Sequence, residues 1–66
     1  MKVILNGKSH EILTNATIQK LLEQINIPKA GTAVAVNGSI VIQSNFETHA
    51  LNENDRVEII RAVGGG

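Results

Sequence analysis

Lys2-Val3-Ile4-Leu5-Asn6-Gly7-Lys8-Ser9-His10-Glu11-Ile12-Leu13 sets an Asn-Gly dipeptide between two runs that read as extended chain. A two-residue type I′ turn needs positive φ at both central positions, and Asn-Gly meets that demand at little steric cost. The reading is a hairpin, with strands over Lys2–Asn6 and about Ser9–Leu13. Beyond it, Thr14-Asn15-Ala16-Thr17 offers several N-cap side chains, and Thr17 is the expected cap because apolar spacing begins directly after it. Ile18, Leu21, Leu22 and Ile25 fall at i, i+3, i+4 and i+7, one face of a helix. Pro28 is expected to end that helix, and Ala30-Gly31 to lead out of it.

A β-branched strand follows at Thr32-Ala33-Val34-Ala35-Val36, closed by a second turn signal, Asn37-Gly38, and then by a short strand at Ile40-Val41-Ile42. A helical turn within Ser44–Ala50 is expected to drop Phe46, and then Leu51, into the core. Asn52-Glu53-Asn54-Asp55 reads as a polar turn and Arg56–Ala62 as the last strand. The order β-β-α-β-β-β is that of an α+β fold, a β-grasp: a mixed sheet of four to five strands packed on one main helix. Residues 1–66 form a single domain in this reading, with 63–66 as a C-terminal arm. Period-two alternation turns Val3, Leu5, Val57 and Ile59 toward the helix and Ile4, Glu58 and Ile60 away from it.

Composition narrows the functions open to so small a chain. A domain of 66 residues buries only roughly 60% of the surface its unfolded form exposes, enough for one core but hardly for a deep substrate cavity as well. There is no cysteine, hence no disulfide framework, thiolate nucleophile or cysteine-based zinc site. Six basic and six acidic residues cancel, the basic ones are scattered, and Phe46 is the only aromatic, so nucleic-acid binding is not expected. The apolar run Val3-Ile4-Leu5 is too short for a signal peptide or a membrane span, and the expected location is the cytoplasm. His10 and His49 have no carboxylate at ligand spacing, and neither a metal site nor a catalytic group is expected. Ser9 and His10 are strand neighbours pointing to opposite faces and cannot engage each other.

The chemistry is expected at the end of the chain. Gly64-Gly65-Gly66 follows the last strand without a linker. Three glycines without side chains suit an arm that threads a narrow channel and offers a terminal carboxylate with an unhindered carbonyl carbon. Ordering such an arm in a partner costs about 1–2 kcal/mol per residue, which favours release as well as capture.

The opening Val3-Ile4-Leu5-Asn6-Gly7, the Thr17-Ile18-Gln19-Lys20-Leu21-Leu22 helix start, Ala33-Val34-Ala35-Val36-Asn37, Asp55-Arg56-Val57-Glu58-Ile59-Ile60 and the glycine end together resemble the ThiS family, the ubiquitin-like sulfur carriers of thiazole formation in thiamin biosynthesis. The resemblance covers essentially the whole chain. It implies that a ThiF-like adenylating enzyme uses ATP to convert the Gly66 carboxylate to an acyl-adenylate. A cysteine desulfurase or sulfurtransferase then supplies persulfide sulfur, and the Gly66 thiocarboxylate donates it to a ThiG-like thiazole synthase. The chain would be a protein co-substrate, not an enzyme, with no bound cofactor and monomeric when free. Val63, Gly64 and Gly65 would be the arm and Ile4, Ile60 and Ala62 the docking face. The third glycine departs from the commonest two-glycine ending and lengthens the arm by one residue. Sulfur carriage for molybdopterin or tRNA thiolation, and ubiquitin-like modification of lysines, are the alternatives within the same fold.

Overall fold

Asn6 and Gly7 take φ values of +48° and +85°, and Asn37 and Gly38 take +52° and +87°, so each Asn-Gly pair makes the primed turn its sequence calls for. The first joins strand β1 (Lys2–Leu5) to β2 (Lys8–Glu11), and the second joins β3 (Thr32–Val36) to β4 (Ser39–Val41). Strand β5 (Arg56–Arg61) lies between the two hairpins, parallel to β1 and antiparallel to β3. The five-stranded sheet has the order β2-β1-β5-β3-β4. The computed structural model describes residues 1–61; Ala62, expected as the final residue of the last strand, and the expected arm Val63 to Gly66 lie outside the described residues.

Helix α1 (Ile18–Gln24) crosses one face of the sheet. With only seven residues it is too short to stand alone in water, so tertiary contacts must supply its stability. Three N–H groups at its start are satisfied from within the chain. The Thr17 hydroxyl accepts from the Lys20 N–H at 3.2 Å, as the cap assignment requires. The two preceding N–H groups, of Ile18 and Gln19, donate to the carbonyls of His49 and Phe46. Those carbonyls belong to the segment after β4, where a short 3₁₀ turn, Gln43–Asn45, drops Phe46 into the core. The same segment is stitched back by the Leu51 N–H, which donates to the Ala16 carbonyl at 2.8 Å. Three of the four donors that a helix N-terminus leaves unpaired are thus consumed internally.

The helix stops earlier than the proline predicts. Ile25 is its C-cap, Asn26 sits at φ +60°, and the N–H groups of Asn26 and Ile27 donate to the carbonyls of Glu23 and Leu22. This is a Schellman closure with asparagine in the left-handed position, and Ile27 packs against the core that contains Leu22. Asn26, not Pro28, ends the helix, because an αL residue reverses the chain before the proline is reached. The second strand is also shorter than expected. Pairing as a named strand ends at Glu11, Ile12 turns into the core while its N–H donates to the Met1 carbonyl, and Leu13 stands exposed.

Val3, Ile12, Ile18, Leu21, Leu22, Val34, Val36, Phe46, Leu51 and Val57 make the core between helix and sheet. Leu5 and Ile59 pack at its margin, so the alternation read from the sequence holds along β1 and β5.

Candidate functional site

The strand that leads to the glycines is braced from both sides by the two turn asparagines. A left-handed Asn turns its own carbonyl out of line with the ladder, and in each turn the side chain replaces it. Asn6 Oδ1 accepts from the Ile59 N–H at 2.9 Å while its own N–H donates to the Val57 carbonyl. Asn37 Oδ1 accepts from the Arg56 N–H at 2.9 Å while its N–H donates to the Arg56 carbonyl. Each side-chain carbonyl thereby extends a ladder onto β5 by one rung. Asn37 does more: its Nδ2 donates to Asp55 Oδ1 at 3.0 Å, and Asp55 Oδ2 accepts from the Asn52 N–H at 2.8 Å. Asp55, read from the sequence only as a turn residue, is buried and closes the loop that launches β5. Asn37→Gly keeps the backbone conformation but removes the amide; the expected loss is about 2 kcal/mol, read as a lower denaturation midpoint with unchanged slope.

The sheet face away from the helix carries the exposed apolar residues. Register places Ile60 beside Ala33 and Glu58 beside Ala35, and it places Ala35 beside Ile40. Ile60 is 62% exposed, Ile40 68% and Ile42 61%, so three isoleucines and the exposed Ala33 form an apolar surface over the β5-β3-β4 side of the sheet, with Ala35 buried among them. Ile40 and Ile42 were not singled out by sequence reading. The signal was present, because a two-residue turn at Asn37-Gly38 fixes Val36 opposite Ser39 and hence Ile40 on the same face as Ala35.

Ile4 shares that face but is not brought to the same patch. It is half-buried, pairs with Ser9 and Arg56, and lines a polar recess with Asn54, Arg56 and Glu58. Ile60 lies four positions further along β5 than Arg56, about 13 Å at the rise of an extended strand. Ala62, Val63, Gly64, Gly65 and Gly66, the other residues to which a role falls, lie outside the described residues.

No group of three or more His, Cys, Asp and Glu side chains that could hold a metal ion occurs among the described residues. His10 on β2 and His49 beside the helix start are both half-buried and lie on different elements.

Two hairpins joined through a parallel β1–β5 pair, with one helix across the sheet, define a ubiquitin-like β-grasp protein whose β5 runs toward a glycine terminus. The chain belongs to the ThiS family, whose model matches residues 3–66. It is similar to the sulfur carrier protein ThiS of Escherichia coli, 27% identical over 66 residues that cover all of both chains. It is also similar to the thiazole synthases of Paramagnetospirillum magneticum, at 32% identity, and Magnetococcus marinus, at 30%, of each of which it spans only a fifth of the length. The crystal structure of the thiamine biosynthesis protein ThiS from Geobacter metallireducens superposes with a TM-score of 0.84 at 25% identity, covering all of both chains.

Proposed function

We propose that this chain is a sulfur carrier for thiazole formation in thiamin biosynthesis, a protein co-substrate that performs no catalysis itself. The observation that carries this reading is the end-to-end match to a sulfur carrier protein, in a chain whose last strand leads into Gly64-Gly65-Gly66. An adenylating enzyme joins the Gly66 carboxylate to the α-phosphate of ATP and releases pyrophosphate. A protein persulfide attacks the activated carbonyl and AMP leaves, giving an acyl disulfide. A second thiol cleaves the S–S bond and leaves the thiocarboxylate at Gly66. This chain has no cysteine, so both thiols belong to partners, a cysteine desulfurase or sulfurtransferase among them. The thiocarboxylate then gives up its sulfur to a thiazole synthase.

The thiazole synthase relatives support that acceptor. A region similar to this chain makes up a fifth of each of those polypeptides, as a carrier joined to its acceptor would. The carrier would meet these partners in the cytoplasm. Val63, Gly64 and Gly65 serve as the arm, and Ile60 with Ile40, Ile42 and the neighbouring alanines serves as the docking face that positions the arm in the activating enzyme.

Intact mass of the protein taken from its own cells tests the chemistry. A species heavier by about 16 Da, one oxygen exchanged for sulfur at Gly66, is expected, with fragmentation separating it from Met1 oxidation. Absence of that species under thiamin limitation overturns the reading. Docking has its own test. Ile60→Glu leaves the helix-side core untouched but sets a charge in the apolar face, and affinity for the adenylating enzyme is expected to fall at least about tenfold. Unchanged affinity by calorimetry removes Ile60 from the docking face.

A further inference from the structure

Strand β5 is accompanied by β3 as far as Arg61 but by β1 only at its start. The parallel register runs Ile4 with Arg56 and Leu5 with Val57 and stops there, because β1 reverses at Asn6-Gly7. The antiparallel register with β3 continues to Thr32 with Arg61. In an extended strand the N–H and C=O of one residue point to the same side, and successive residues alternate. The Val57 carbonyl accepts from the Asn6 N–H, and the Ile59 N–H donates to Asn6 Oδ1, so Val57, Ile59 and therefore Arg61 direct their backbone groups toward the β1 side. Glu58 and Ile60 direct theirs toward β3. Past the Asn6 side chain, the Ile59 carbonyl and the Arg61 N–H and carbonyl have no backbone neighbour on that side among the described residues.

This is a gap inside the sheet, not an outer edge. A segment of extended chain set there would lie in line with β1, flanked by the Asn6-Gly7 turn at one end and open toward the terminus at the other. The gap offers an acceptor, a donor and an acceptor in strand spacing, the pattern that an added strand satisfies. It is too short for unselective edge pairing between copies, and the Arg61 charge discourages it further.

We propose that Ile59–Arg61 is a strand-addition site, filled by an extended segment of the thiazole synthase that pairs through its main chain with the Ile59 carbonyl and the Arg61 N–H. The proposal rests on the reading of this chain as a carrier to that enzyme. Main-chain pairing at this point orders the residues immediately before the arm, so the enzyme fixes the direction in which Gly66 is presented without contacting any side chain of the arm. Asn6 is a positioning residue in this arrangement: it satisfies the last N–H that β1 cannot reach and leaves the next one for the partner.

The test compares Arg61→Pro with Arg61→Ala in the full chain, with the cognate thiazole synthase as the probe. Proline removes only an N–H that points away from β3, and the extended conformation it imposes on Ile60 is the one already present. Arg61→Ala removes the side chain and keeps the donor. Arg61→Pro is expected to bind at least about tenfold more weakly than Arg61→Ala, with unaltered amide spectra for residues 1–58. In the isotope-labelled native chain, addition of the synthase is expected to slow hydrogen exchange at the Arg61 N–H, with the β3-directed Ile60 N–H as the internal reference. Equal binding by the two variants, or an Arg61 N–H that exchanges as fast in the complex as in the free chain, overturns strand addition while leaving the carrier reading intact. Protection of that N–H in the free chain that rises with its concentration also overturns it, since the occupant is then a second copy. Failure of the native chain to bind the synthase at all overturns the carrier reading and strand addition together.

Discussion

A chain truncated after Gly64 is expected to fold as the full chain does and to lose ATP–pyrophosphate exchange with its adenylating enzyme down to background. Among the described residues every buried core residue lies at or before Val57, and Gly65 and Gly66 have no side chains to contribute to a core. The chemistry, in contrast, is lost in two ways. The terminal carboxylate moves back by two residues, several ångströms in extended chain, and positioning errors of about 1 Å already cost on the order of a hundredfold in enzymic steps. In the proposed reaction the shortened arm would also bring the bulk of the domain closer to the activating site. Circular dichroism and a denaturation curve establish the fold, and isotope exchange into ATP reads the activation. Exchange at the native rate would remove Gly66 from its role. A complementary variant, with residues added beyond Gly66, has no free carboxylate at that position and is expected to be equally silent.

Phe46→Ala is expected to leave little folded protein at 37 °C. Phe46 is the only aromatic residue, it is fully buried, and it sits where the segment after β4 meets the helix start. Truncating a buried phenylalanine costs about 3–5 kcal/mol. A chain of 66 residues has a total stability of roughly 3–10 kcal/mol at the usual stability per residue. The loss therefore takes most of the margin. It also reaches beyond the cavity, because the Phe46 carbonyl accepts the Gln19 N–H at the first turn of α1. A displaced loop leaves that donor unpaired. Phe46→Leu, which fills more of the space, is expected to fall between. Thermal unfolding followed by circular dichroism separates the three proteins, and an alanine variant within about 1 kcal/mol of the native chain would show that the pocket collapses around the smaller side chain.

The fold was largely legible because its signals are local. Two Asn-Gly turns, one helical face of Ile18, Leu21 and Leu22, and a β-branched run at Thr32–Val36 each name an element without reference to the rest of the chain. The helix end was misplaced for a related reason. Proline is the louder stop signal, whereas Asn26 acts through a left-handed φ that the sequence permits but does not demand. The outer face of the sheet was legible in part. Alternation set Ile60 outward, where it is exposed; the distance between Ile4 and Ile60 along the strands, and the place of Ile40 beside Ala35, needed the registers of β1 with β5 and of β4 with β3.

The identity of the elements, the absence of cysteine from these 66 residues, and the run Gly64-Gly65-Gly66 were determined by sequence alone, since each depends on residue type or on neighbours a few positions away. Tertiary structure decided what depends on distant pairing. It set β5 between the two hairpins, joined Asn6 to Ile59 and Asn37 to Arg56, buried Asp55, and left the Arg61 backbone without a neighbour on one side among the described residues. The physical reason is that a hydrogen bond across more than fifty residues, as from Ile59 to Asn6, leaves no periodic trace in the chain that makes it.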